Sequence, residues 1–215
     1  MRTITVELKG VTPILMHSDD VLASDELSAF RKDPKNKNSS VAGDDRSPPW
    51  SWHTYCYFAN DKLAWPSTAV QVALRNAGKS LILKKQKTFK TMAASGMIPA
   101  TEFFDFFANG KPITSKEIKY MRDLAFMDQK AACQKLGFDL LVKRAAVGNS
   151  KHVRVRPVFG NWSIVGQFHV TSPELTDDIL KQLFTIAGSE QGLGDWRPSA
   201  PKSPGSYGLF KAKMK

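Results

Sequence analysis

The stretch Val153-Arg154-Val155-Arg156-Pro157-Val158-Phe159-Gly160-Asn161-Trp162-Ser163-Ile164-Val165-Gly166-Gln167-Phe168-His169-Val170 carries the clearest β signal in the chain. Val153, Val155 and Pro157 alternate with Arg154 and Arg156. Trp162, Ile164, Gly166, Phe168 and Val170 then alternate with Ser163, Val165, Gln167 and His169. A period of two is what a pleated strand with one buried face imposes. Gly160-Asn161 between the runs is turn chemistry, so the spacing predicts a hairpin. On that reading Arg154 and Arg156 share the solvent side, opposite Val153 and Val155.

Upstream of this stretch, Phe138, Leu140 and Val142 alternate like another strand. Downstream, Thr171-Ser172-Pro173 opens a helix with Leu175, Ile179, Leu183 and Ala187 at steps of four. Asp177 and Asp178 suit its positive end, and Gly188 closes it. At the amino terminus Ile4, Val6 and Leu8 alternate with Thr5, Glu7 and Lys9. Gly10 to Pro13 turn the chain, and Ile14-Leu15-Met16 either prolong the strand or pack under a loop. Trp65-Pro66-Ser67-Thr68 starts a helix running from Ala69 to about Lys79, with Pro66 in the first turn and Ser67 or Thr68 as cap. Its inner stripe is Val70, Ala73, Leu74 and Ala77. Phe103, Phe104, Phe106 and Phe107 mark a central strand or two within 88–108. Ser115 caps a short helix from Lys116 to Met121, and Tyr207 to Lys211 form the last strand. Strand, insertion, helix, strands, hairpin, helix and strand in that order predict an α+β fold. The sequence suggests a ferredoxin-like (RRM-like) βαββαβ core, an antiparallel sheet with two main helices on one face.

The interruption is residues 18–62. It contains a helix at about Val21 to Arg31, a polar run from Arg31 to Ser40, and Gly43-Asp44-Asp45-Arg46-Ser47-Pro48-Pro49, which blocks regular structure. Trp50, Trp52, Tyr55, Tyr57 and Phe58 follow at near-alternating positions, as in a strand or hairpin returning to the core. The remainder of 18–62 is expected to be a mobile loop inserted into a single domain spanning 1–215.

Thirty-one Lys and Arg against twenty Asp and Glu give the 215 residues a net charge of +11. An excess of that size suits a polyanion partner. The positives cluster: Lys79, Lys84, Lys85, Lys87 and Lys90 in one group, Lys143, Arg144, Lys151, His152, Arg154 and Arg156 in another. No run reaches the ~20 apolar residues of a membrane span. The alternating first strand lacks an apolar signal core, so the expected location is the cytoplasm. Cys56 and Cys133 are expected to stay reduced there.

The other informative segment lies near the carboxyl end. Gly192-Leu193-Gly194-Asp195-Trp196-Arg197-Pro198 and Gly205-Ser206-Tyr207-Gly208-Leu209-Phe210 bracket a loop that also holds Lys202. Glycines permit close approach to the main chain, Arg and Lys supply charge for phosphate, and a Trp face stacks on a base. Gly192, Gly194, Trp196, Arg197, Lys202, Gly205 and Gly208 are therefore candidate nucleic-acid-contacting residues. So are Ser67 and Arg75 on the first helix, and Lys84, Lys85, Lys87, Lys143, Arg144, Lys151, His152, Arg154 and Arg156.

Four places in order resemble the RAMP superfamily of CRISPR-associated proteins. They are the first strand running into Gly10-Val11-Thr12-Pro13-Ile14-Leu15-Met16-His17; the helix start Ala64-Trp65-Pro66-Ser67-Thr68 with its continuation to Ala73-Leu74-Arg75; the stretch from Arg154 to Val170; and the terminal glycine-rich loop. Ser67 stands where that family usually has glycine, and Pro198, Pro201 and Pro204 fill the middle of the loop. Within the superfamily the chain is most similar to the backbone subunit of multi-subunit effectors. The resemblance implies an RRM-like palm, a thumb-like insertion at 18–62, and polymerisation along guide RNA without sequence preference. It further implies as partners a target nucleic acid paired with the guide, copies of the chain itself and other effector subunits.

Catalysis is the open alternative. RAMP endoribonucleases that process guide RNA often use a histidine. Of His17, His53, His152 and His169, His17 lies best, just after the first strand. Other backbone subunits cut target RNA with one loop aspartate and a metal, which directs attention to Asp19, Asp20, Asp33, Asp44 and Asp45. No His/Cys metal spacing, P-loop or dinucleotide fingerprint is present, so no metal and no cofactor is expected. The reading is a non-catalytic RNA-binding subunit. The alternatives are an endoribonuclease of the same superfamily and a RAMP-like binder outside CRISPR.

Overall fold

The computed structural model describes every residue except 40, 42, 85, 86, 148 and 149. In chain order the first elements are β1 (Arg2–Gly10), β2 (Ile14–Leu15), α1 (Val21–Lys32), β3 (Phe58–Ala59), β4 (Lys62–Pro66) and α2 (Ser67–Ala77). Then come β5 (Ile82–Lys84), β6 (Lys87–Thr88), α3 (Lys90–Ser95), β7 (Met97–Pro99), β8 (Phe103–Ala108), α4 (Ser115–Tyr120) and α5 (Phe126–Leu136). The chain finishes with β9 (Asp139–Val147), β10 (Ser150–Phe159), β11 (Trp162–Val170), α6 (Asp177–Ile186) and β12 (Phe210–Met214).

The fold is α+β with antiparallel sheets. The main sheet runs β12-β1-β11-β8-β4-β3, with β7 also beside β11. β1 is an interior strand whose Ile4, Val6 and Leu8 all face the core while Thr3, Thr5 and Lys9 do not. The helices α2 and α6 pack against each other. They bury Val70, Leu74, Leu180, Leu183 and Phe184, with Phe104, Phe106, Ile164 and Phe168 supplied by the sheet. Each such side chain contributes about 1.5–3 kcal/mol by leaving water.

The expected hairpin at Gly160-Asn161 does not form. β10 belongs to a second sheet, β2-β10-β9, and β11 to the main one. The long hairpin is instead β9–β10, in register from Val147 opposite Ser150 to Asp139 opposite Val158. At Gly160-Asn161 the chain crosses between sheets. Trp162 explains the divergence. Its indole occupies the space that Gly10 leaves, where a Cβ would stand 2.3 Å from Nε1. Nε1 donates to the Thr12 carbonyl at 2.8 Å, which ties the start of β11 to the end of β1. Ile14 and Leu15 belong to the second sheet rather than prolonging β1: they pair with Phe159 and Val158.

Residues 40 and 42 of the expected mobile loop lie outside the described residues, and the described residues of the inserted segment are held by the rest of the molecule. Its helix α1 forms as expected, capped by the Asp20 carboxylate on the Leu22 and Ala23 amides. Residues 51–55 make a 3-10 turn in place of the expected strand, and Trp52 is wholly buried with Nε1 donating to Gln129 at 2.6 Å. Residues 43–45 run beside β10: Val153 N donates to Gly43 O at 2.8 Å, and Asp45 N to Val153 O at 3.0 Å.

Several helix ends differ from their sequence signals. Ser67 caps nothing: its backbone N–H and its hydroxyl both donate to the Glu102 carbonyl, each at 2.9 Å. Thr114, not Ser115, caps α4, in a reciprocal box with Glu117. α6 starts at Asp177 with Thr176 as cap. It continues past Gly188 as a widened turn to Gln191, with Gly188 against the Phe210 carbonyl. Cys56 and Cys133 are both buried free thiols, and burial pushes both well above the usual thiol range.

Candidate nucleic-acid interface

The site begins with the glycine-rich loop between α6 and β12. Gly194 has φ +80, and a Cβ there would meet the Leu15 carbonyl at 2.4 Å. Gly208 has φ +73 and approaches the Leu193 carbonyl still more closely. Both glycines are required by the protein's own backbone, since the loop folds onto itself and onto β2. Asp195 N donates to Leu15 O at 3.2 Å, which fixes the loop beside the end of β2. Gly192 and Gly205 are likewise pressed against loop atoms.

Trp196 sits at φ +50, a region that costs a non-glycine residue about 1 kcal/mol or more. Its ring offsets that cost by packing: Lys143 Nζ lies 4.6 Å from the ring centre, and Tyr207 lies alongside at 6.2 Å. The loop and the β9–β10 hairpin therefore meet. Arg197 donates through Nη1 to Gly194 O at 2.9 Å and through Nε to Ser199 Oγ at 3.1 Å. It has no carboxylate partner among the described residues.

Between this loop and α2 lies a cavity of about 720 Å³. Its walls include Tyr57, Trp65, Val72 and Phe103 on the apolar side, and His17, Asp19 and Arg197 on the polar side. Pro66 precedes α2, and no side chain caps its first turn. First-turn amides have no acceptor within their own helix, and Thr68 and Ala69 of that turn line the cavity. Tyr57 Oη donates to His17 O at 2.7 Å, and burial together with nearby Asp19 and Asp195 pushes the phenol up to about 12.

The two hairpin arginines point inward, which corrects the expectation that they face solvent. Arg156 is 7% exposed and Asp45 is 1% exposed. Asp45 accepts from Arg154 Nη1 at 3.0 Å, Arg156 Nη1 at 3.3 Å, Tyr55 Oη at 3.1 Å and Val155 N at 3.3 Å. The Arg156 plane also lies 4.0 Å over the Tyr55 ring, and its Nε reaches Asp195 Oδ2 at 3.3 Å. The even-numbered residues of β10 share one face, which the insertion covers, so those cations are used inside the molecule.

His17 completes the network. Nδ1 lies 3.3 Å from Asp195 Oδ2, and Nε2 lies 3.4 Å from Arg156 Nη2. A guanidinium only donates, so Nε2 accepts and the Nδ1 proton faces Asp195. Burial would raise the Asp195 carboxyl, but His17, Arg156 and the Trp196 amide outweigh it and hold it below the usual range.

The remaining candidate cations are outward. Arg144 and Lys151 lie on the other face of β9–β10, exposed, while the His152 ring packs against Gly43. Lys202 is exposed on the glycine-rich loop. Arg75, Lys84 and Lys87 are exposed, and Lys85 lies outside the described residues. Arg75, Lys79, Lys84, Lys87 and Lys90 form no ion pair among the described residues. One sequence signal accounts for that: residues 62–101 contain Lys and Arg but no Asp or Glu until Glu102. The cavity follows α2 to Asn76, within a turn of Arg75 and Lys79.

Sequence reasoning missed Asp45 as a buried anchor, Tyr55, Tyr57 and the partnership of His17 with Asp195. All of these depend on the meeting of distant parts of the chain. Among the described residues no helix is long and apolar enough to cross a membrane. No protein-family model matches the sequence, and no curated protein matches it.

Proposed function

We propose that this chain is a non-catalytic RNA-binding subunit with a ferredoxin-like core, in the manner of RAMP backbone subunits that assemble along a guide RNA. The fold reading is supported by strand order. Taking β1, β8, β11 and β12 as the core strands, their order in the sheet is last-first-third-second, with all neighbours antiparallel. α2 follows the first core strand and α6 the third, as a βαββαβ unit requires. The strands β3 and β4 and the second sheet are additions to that core. The insertion packs on the second sheet, in keeping with a thumb-like attachment.

The observation that carries the functional reading is the cavity along α2. Its lining includes Thr68 and Ala69 of the uncapped first turn, Arg197, and further along α2 Asn76, the neighbour of Arg75 in the acid-free stretch 62–101. Backbone amides, arginine and lysine recognise phosphate without reading base sequence, as a protein that holds many guide sequences must. The His17 geometry argues against a nuclease. A general base needs its lone pair free, and Arg156 occupies the one on Nε2.

The test is to purify the chain, sequence the nucleic acid that accompanies it, and measure binding to single-stranded RNA across a salt series. The expected result is bound RNA with a fixed footprint, stacked particles, and no cleavage of repeat hairpins. Cleavage abolished by His17→Ala would establish the endoribonuclease alternative. RNA binding without a dedicated guide would favour a RAMP-like binder outside CRISPR.

A further inference from the structure

We infer that the cavity between α2 and the glycine-rich loop takes one ribonucleotide unit, with the phosphate, the base and the ribose each assigned to a wall. This rests on the RNA-binding reading and specifies the ligand of that site. A volume of about 720 Å³ lies within the range that small-molecule sites occupy. The phosphate goes to the first turn of α2, where the Thr68 and Ala69 amides are uncapped; Arg197, which lines the same cavity, is bonded only to neutral oxygens. The base goes to the apolar wall of Tyr57, Trp65 and Phe103.

A second observation points to a ligand at that wall. Trp65 is 1% exposed and its Nε1 has no hydrogen-bond partner among the described residues. Buried indole N–H groups normally find an acceptor; this one is closed to solvent in the free chain, so an acceptor on a base reaches it only as the indole turns toward the cavity on binding.

The ribose goes to Asp19. Of the three carboxylates on the cavity wall, Asp20 caps α1 and Asp195 is held by His17 and Arg156. Asp19 makes no hydrogen bond or ion pair among the described residues, and it is exposed at the cavity rim. A free carboxylate repels phosphate but accepts well from a pair of vicinal hydroxyls, the group that separates ribose from deoxyribose. The acidic rim and the cationic helix end thereby orient the unit.

Saturation-transfer NMR with AMP, dAMP and inorganic phosphate on the full chain tests this. AMP should bind, phosphate should compete with it, and dAMP should bind roughly tenfold more weakly, the loss of a hydrogen bond to a charged group. Asp19→Asn should bring AMP and dAMP close together, and Ala69→Trp should block both while retaining the wild-type circular dichroism. Equal binding of AMP and dAMP to the wild type, or a preference that survives Asp19→Asn, overturns the inference. A chain that retains single-stranded RNA on a filter but shows no AMP signal also overturns it, and leaves the RNA-binding reading intact. A chain that binds AMP with the stated preference but retains no RNA upholds the cavity and removes the RNA-binding reading.

Discussion

Two basic stretches of this chain look alike in sequence and behave oppositely in the fold. In the β9–β10 hairpin, Arg154 and Arg156 turn inward onto Asp45, which lies more than a hundred positions earlier. In the stretch from Arg75 to Lys90 no acid lies nearby in sequence, and among the described residues none of its cations forms an ion pair. One cluster ties an insertion to a sheet, and the other stays available to a partner. Local charge density therefore does not distinguish a structural cation from a binding one. What distinguishes them is whether a distant carboxylate is folded onto the cluster.

The largest expected effect breaks the first cluster. Asp45→Ala leaves Arg154, Arg156 and Tyr55 facing one another without their shared acceptor. Removing one partner of a buried ion pair costs about 3–5 kcal/mol. For a chain of this size that lowers the unfolding temperature by on the order of 10 °C. Thermal unfolding followed by circular dichroism checks it. A loss under about 1 kcal/mol would mean that water replaces Asp45 freely and that the insertion is not anchored there.

The second prediction concerns the other cluster. Lys84→Ala, Lys87→Ala and Lys90→Ala together should leave unfolding almost unchanged, since all three are exposed and form no ion pair among the described residues. RNA affinity should fall, and the slope of log affinity against log salt should shrink by about 2, roughly 0.7 for each single-strand phosphate that a lysine no longer neutralises. An unchanged slope would show that these lysines only solubilise the surface, and the contrast between the two clusters would lose its functional half.

Much of this contrast is visible in the residue order, and the missing part has a definite physical origin. The alternation of Ile4, Val6 and Leu8 and the stripe Val70, Ala73, Leu74 and Ala77 correctly identify buried faces, because periodicity records which side meets the core. Periodicity does not say which sheet. Val155 and Ile164 each alternate correctly and share one core, yet they belong to different sheets, and Gly160-Asn161 serves a crossing as well as it serves a hairpin. Asp45 follows the same logic. Beside Gly43 and Pro48 it reads as turn chemistry, and only the folded insertion puts it under β10. The cavity is legible in part, through the helix start at Pro66-Ser67-Thr68 and Arg197, but not the uncapped state of that start, since the sequence offers Ser67 or Thr68 as cap. Its apolar wall is not, since Tyr57 and Phe103 are brought together only by the pairing of β4 with β8.

The smallest effect sharpens the comparison through pH. The Asp195 carboxyl is held below its ordinary value by His17, Arg156 and the Trp196 amide despite its burial. A carboxyl depressed by folding binds its proton more readily in the unfolded chain. Its contribution is thus complete above the unfolded value of about 3.9 and disappears as pH falls through the lower folded value. Urea unfolding from pH 7 to pH 3 should show an acid limb below about pH 4 that Asp195→Asn makes shallower. The variant should be less stable at pH 7 and converge on the wild type at the acid end. The lysine variants of the Lys84–Lys90 surface should keep the wild-type acid limb, because no carboxylate there depends on them. If Asp195→Asn instead superimposes on the wild type at every pH, the link from the glycine-rich loop through His17 to Arg156 carries no folding energy. The two basic regions would then differ only in what covers them.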